Sequence, residues 1–218
     1  MDCYDTEIYT EAVDTSISKP IFVIFSDLNT FATNLVKFYM KTNATHVAIS
    51  FDVDMHDVYG VGLKFEQDEE SGNRHGFHRE MFATKYENAS IVVYTAYVSI
   101  DTFNKLKDYV DSFKHDKKSG KYDWSIILNS LLKIDKKFTK SEYTQICSTF
   151  VDAVFKQINV DLTGKEIPSP KDLNIAISER KPEFKLLYDG IGSDYDPKRL
   201  RSKLYSFTKT KYSKRLDE

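Results

Sequence analysis

At 218 residues the chain is long enough to bury a sizeable core, as one large domain or two small ones. Hydrophobic residues at 41% and charged residues at 29% exclude wholesale disorder, and a formal charge of −2 excludes a global field that would gather nucleic acid. Two cysteines, Cys3 and Cys147, are too few for a disulfide framework and predict a reducing compartment, while the sequence predicts neither a signal peptide nor a membrane span.

The chain opens on an acidic stretch, with Asp2, Asp5, Glu7, Glu11 and Asp14, predicting an N-terminal extension over residues 1–19. Ile21 to Phe25 is a continuous apolar run that suits a strand buried on both faces. Leu28, Phe31, Leu35, Phe38 and Tyr39 then recur at helical spacing, predicting a helix that ends near Lys41. From His46 to Phe51 the pattern alternates: Val47, Ile49 and Phe51 share one face, and His46, Ala48 and Ser50 the other. A turn at Asp52 to Asp54 leads to Val58–Leu63, the expected antiparallel partner. Gln67 to Arg79 contains Gly72 and Gly76 and shows no apolar period, so it reads as a loop long enough to be a lid.

Ile91 to Val98 is β-branched and aromatic, a further strand, and Asp101 starts a helix carrying Phe103, Leu106, Val110 and Phe113. A second helix is expected from Asp123, and a third through Ile146, Phe150, Val151, Val154, Phe155 and Ile158. Pro170 suits the first turn of a short helix through Leu173 and Ile177, and Phe184 to Tyr188 is a last strand candidate. Lysines and arginines after Pro197 predict a basic tail over residues 191–218. Strands early and helices late favour an α+β fold, a small antiparallel sheet packed against helices, in one domain spanning residues 20–190.

Cys147 has two readings. Within the apolar stripe of Ile146, Phe150, Val151 and Val154 it is a core thiol. Thr139 with Glu142 fits a capping box and would place it inside a long helix, whereas a start at Thr144 places it in the first turn. There the helix dipole favours thiolate, and free amides can hold an oxyanion. His46 shares its strand face with small residues that leave room for a substrate, or it is an ordinary surface histidine. Meeting across a cleft, the two would form a nucleophile and base pair.

Thr45-His46-Val47-Ala48-Ile49-Ser50, then Tyr122-Asp123, then Ile146-Cys147-Ser148-Thr149-Phe150-Val151 resemble, in order and spacing, the signature of permuted papain-like cysteine hydrolases. These are relatives of NlpC-type endopeptidases and lecithin retinol acyltransferases, with bacterial and phage-encoded members. Ser169 to Leu173 and Phe184 to Gly190 are similar to the closing segment of the phage-associated branch. The resemblance implies a permuted papain-like (NlpC-like) fold and a hydrolase or acyl transferase acting on amide or ester bonds. It implies Cys147 as nucleophile, His46 as general base and an oxyanion site at the amides near Cys147 and Ser148. The acyl substrate would be a peptide, a cell-wall amide or a lipid ester, and no cofactor is implied. A third polar group is expected on the strand after the histidine. Tyr59 and Gly60 stand there, and the candidate is Asp57, slightly early, which would orient His46 if the hairpin register permits.

The competing class is a non-catalytic virion or assembly protein that keeps the fold and docks protein partners through its charged tails. Location follows the class: cytoplasmic, or virion-associated if phage-encoded. His75 and His78, near Glu69, Glu70 and Glu80, would suit a metal only on a helix, and the glycine-rich context gives no fixed geometry, so no metal is expected.

Overall fold

The computed structural model describes residues 8, 16–28, 44–63, 75–115, 121–122, 144–180 and 183–208. The helices expected over 29–41 and from Asp123, the capping box at Thr139 and Glu142, most of the N-terminal extension and the last part of the basic tail, 209–218, lie outside these residues.

The fold is α+β, built on a six-stranded antiparallel sheet. In chain order its strands are β1 (Ser18–Asp27), β2 (His46–Ser50), β3 (Val58–Leu63), β4 (His75–Glu80), β5 (Ser90–Ser99) and β8 (Lys185–Ile191), in spatial order β4-β3-β2-β1-β5-β8. Two short strands, β6 (Lys121–Tyr122) and β7 (Thr144–Gln145), pair in parallel beside it. The helices are α1 (Phe82–Lys85), α2 (Ile100–His115), α3 (Cys147–Lys156), α4 (Pro170–Glu179) and α5 (Pro197–Thr208).

The apolar run predicted as a doubly buried strand is the centre of the sheet. Ile21, Phe22, Val23, Ile24 and Phe25 alternate between two cores. On one face Ile21, Val23, Phe25, Val47, Ile49 and Val61 pack against Leu106 and Val110 of α2, Phe150, Val151 and Val154 of α3, and Leu173 and Ile177 of α4. On the other, Phe22, Ile24, Ala48, Val58 and Val93 pack against Met55, Tyr86, Tyr195, Leu200 and Leu204. Each such side chain taken from water contributes roughly 1.5–3 kcal/mol before conformational entropy is charged against it.

The hairpin of β2 and β3 forms as the alternation predicts, with Ile49 opposite Tyr59 and Ser50 opposite Val58. The helix at Pro170 is fixed by Ser169, whose Oγ accepts from the Asp172 amide at 3.1 Å while Asp172 Oδ2 accepts from the Ser169 amide at 2.9 Å. Two expectations are corrected. Residues 75–79, read as the end of a loop, belong to strand β4, paired along its length with β3 from Val58–Glu80 to Leu63–His75. Its polarity is no loop signal: His78 and Glu80 are turned inward by the pleat, onto the face that carries the site. The basic segment after Pro197 is not tail throughout, because α5 buries Leu200 and Leu204 on the second core. The acidic N-terminal stretch is likewise anchored at one point, where Ile8 is buried and bridges Val98. No helix among the described residues is long and apolar enough to cross a membrane.

Candidate active site

The site assembles where β2 begins. Thr45 ties this start to the end of β1: its amide donates to Ser26 O at 3.0 Å, its hydroxyl donates to the same oxygen at 3.2 Å, and its Oγ1 accepts from the Leu28 amide. The next residue, His46, is therefore held on a fixed backbone, and only 5% of it is exposed.

Opposite it, β3 carries Gly60 and Gly62 on the same face. A Cβ at Gly60 would collide with the Glu80 carboxylate and stand 3.3 Å from His46 Nε2, and one at Gly62 would lie 3.6 Å from His46 Cε1. The bare backbone at Gly60 clears the path by which Glu80, on β4, reaches across β3 to His46. His46 Nε2–H donates to Glu80 Oε1 at 2.9 Å, both side chains almost wholly buried. Lys85 Nζ donates to the same carboxylate oxygen at 2.6 Å and lies 3.3 Å from His46 Nε2, and the Tyr86 hydroxyl donates to Glu80 Oε2. Burial would raise the Glu80 carboxyl, but the charges of Lys85 and His46 and the bond from His46 hold it well below the usual carboxylate range. Burial and the bonded carboxylate push the Tyr86 phenol well up, keeping it a donor.

Cys147 is the first residue of α3 and 6% exposed. The preceding Ile146 has no side-chain acceptor, so no side chain caps the first turn. Thr149 closes on Ile146 instead, its Oγ1 accepting the Ile146 amide at 2.9 Å and donating to Ile146 O at 3.0 Å. Ser148 is pulled away from the site by its bond to Pro168 O at 2.6 Å. The Cys147 thiol lies against the His46 ring and the Val47 amide, close enough that thiol and imidazole shift each other's protonation. With His46 Nε2 held by Glu80, Nδ1 is the nitrogen left for sulfur. Burial alone would raise the thiol, yet the bond from His46, its charge, the Val47 amide and Lys85 bring it below the ordinary thiol value of 9.0. For His46, burial and Lys85 pull downward, but Glu80 and the bond to Cys147 outweigh them and leave the imidazole above 6.5.

The sequence thus placed Cys147 and His46, a hundred residues apart, and the fold brings them together; the first-turn reading of Cys147 holds, with Ile146 rather than Thr144 at the cap. The third group is a correction: it is Glu80, not Asp57. Asp57 shares the pleat direction of Tyr59, opposite to Gly60, and its Oδ1 accepts from the Tyr59 hydroxyl at 3.3 Å while Arg79 and Lys107 approach at 3.7 and 3.9 Å. The signal that would have found Glu80 is His78-x-Glu80 after the Gly60-x-Gly62 pair, a polar alternation matched to two bare positions on one face of the neighbouring strand. Tyr122 is brought beside the site by backbone pairing with Gln145, two residues before Cys147.

His75 and His78 both fall on strand β4, not on the helix that the metal reading requires. At the turn before β3, Asp52, Asp54 and His56 bring ligand atoms within 4.8 Å of one another, but Asp52 accepts the amides of His56 and Asp57 and Asp54 is bridged by Arg201. Set against known proteins, the chain matches no family model and no curated protein.

Proposed function

We propose that the chain is a cysteine-dependent hydrolase or acyl transferase of permuted papain-like fold, acting on amide or ester bonds of a peptide, cell-wall or lipid-type substrate. One observation carries the reading: a thiol at the first position of a helix, set against an imidazole whose Nε2 is fixed by a buried carboxylate. His46 Nδ1 takes the thiol proton and Cys147 Sγ attacks the acyl carbon, while the uncapped first-turn amides of α3 receive the oxyanion. The imidazolium returns that proton to the leaving nitrogen or oxygen as its bond to carbon breaks, giving a thioester. Water, or an acceptor alcohol or amine in a transferase, then gives a proton to Nδ1 and attacks the thioester, and the imidazolium reprotonates the departing sulfur. Glu80 fixes the ring tautomer and stabilises its charged form throughout.

The low exposure of Cys147 and His46, 6% and 5%, favours a second reading, a non-catalytic virion or assembly protein that retains this arrangement. Iodoacetamide labelling of the full chain, read by peptide mass spectrometry, separates the two. In the catalytic reading Cys147 is alkylated faster than Cys3 at mildly acidic pH, and His46→Ala slows Cys147 by roughly tenfold or more while leaving Cys3 unchanged. Equal rates at the two thiols end the catalytic reading and leave the scaffold.

A further inference from the structure

Lys85 is the last residue of α1, and its side chain, only 4% exposed, turns back to the carboxylate five positions earlier. An ammonium withdrawn from water to this degree is expensive unless paired, and its partner here is Glu80 Oε1, 2.6 Å from Nζ, with His46 Nε2 3.3 Å away. Among the described residues, the charged and titratable groups facing the imidazole are Glu80 and His78 from β4, Lys85 and Tyr86 at the end of α1, and Cys147 from α3, while β3 contributes only Gly60 and Gly62.

A buried carboxylate acting alone on His46 would hold the imidazolium strongly, which assists thiolate formation but opposes the return of the proton to a leaving group. Lys85 supplies the opposing charge at the same oxygen. We propose that Lys85 is a positioning residue of the reaction, a counter-charge that makes Glu80 a hydrogen-bond acceptor of little net field and so sets the pH range over which His46 gives up its proton. This rests on the proposed cysteine chemistry for its consequence, but not for its test.

The test reads the imidazole directly, by NMR titration of the His46 ring in the full-length, isotope-labelled chain, assigned by its loss in His46→Ala. Lys85→Met leaves Glu80 unopposed, so the His46 midpoint moves upward. Lys85→Arg keeps the charge and returns the midpoint toward the parent value. Because Lys85→Met leaves a buried carboxylate with one partner fewer and can fail to fold, the comparison is repeated with Glu80→Gln present. There Glu80→Gln/Lys85→Met titrates at a higher pH than Glu80→Gln alone. An imidazole that titrates at the same pH with and without Lys85 in the folded pair overturns the assignment. A midpoint that shifts while Cys147 labels no faster than Cys3 leaves the assignment standing and removes the catalytic reading; an activated Cys147 beside an unshifted midpoint does the reverse.

Discussion

Gly60 occupies the one position on β3 from which any side chain would run into the carboxylate of Glu80. Gly62, on the same face two residues on, lies only at ordinary contact distance from the His46 ring. Two glycines that look alike in sequence therefore differ in consequence. Gly60→Ala forces Glu80 away from His46 and costs about 1–3 kcal/mol as an overpacked site, whereas Gly62→Ala costs less than about 1 kcal/mol. Urea melts of both variants check the first statement. Cys147 alkylation rates check the second, falling in Gly60→Ala and holding within about twofold of the parent in Gly62→Ala. A Gly60→Ala protein as stable and as reactive as the parent would show that Glu80 does not need the cleared path.

The same geometry ranks the carboxylates. Glu80 raises His46 against burial and the charge of Lys85, so Glu80→Gln leaves Cys147 alone against the two lowering influences and the imidazole drops. Less imidazolium means less thiolate, and alkylation of Cys147 at neutral pH falls by roughly tenfold or more. Lys85 loses its charge partner at the same time, a change that costs about 3–5 kcal/mol for a buried pair. Asp57→Asn, at a half-exposed carboxylate bonded to Tyr59, leaves the alkylation rate within about twofold of the parent. The ordering of the two variants, measured on protein verified folded by circular dichroism, distinguishes Glu80 from Asp57 as the group that orients His46; equal losses would refute it.

What could be read from the sequence divides along physical lines. Alternation and apolar runs located β1, β2, β3, β5 and the helices α2 and α4, because each buries a full face and burial dictates residue type. Local context left Cys147 and His46 with two readings each, a cysteine near the start of an apolar helix and a histidine heading an alternating strand, and the resemblance joined them as a pair. Glu80 is not where the resemblance puts the third group: it lies on β4, one strand beyond β3. It reaches His46 from β4 across a glycine, a route set by strand pairing over 34 residues of sequence that no local pattern encodes. Strand β4 was obscured for the same reason: His78 and Glu80 occupy inward positions where an ordinary strand would be apolar. The folding of α5 was hidden by its charge, since Leu200 and Leu204 are spaced for one face of a helix but stand among lysines and arginines that keep to the other.

His78 provides a pH test independent of catalysis. Its Nδ1–H donates to Gly76 O at 2.9 Å, while its Nε2, 3.8 Å from Glu80 Oε1, is buried with no hydrogen-bond partner among the described residues. Burial, ahead of the opposing charge of Glu80, pushes the ring down to about 4 from the ordinary 6.5. A base whose folded value is depressed disfavours the protonated form in the native state. Its contribution is intact above pH 6.5 and is lost as the pH falls toward about 4, because the unfolded chain takes up a proton that the folded chain refuses. Between pH 7 and pH 5 that loss amounts to about 2 kcal/mol, at 1.36 kcal/mol per unit below 6.5. Glu80, held well below the usual carboxylate range, keeps its own contribution across this window, and His46, shifted upward, moves the stability in the opposite sense. His78→Gln removes the depressed base and retains a polar side chain. Urea unfolding at pH 7 and pH 5 then finds the difference between the two pH values made more favourable to the folded state in the variant by on the order of 2 kcal/mol. Parallel pH dependence in parent and variant would mean that the His78 ring is protonated in the folded protein at pH 5 and that the pocket beside Glu80 admits a second positive imidazole.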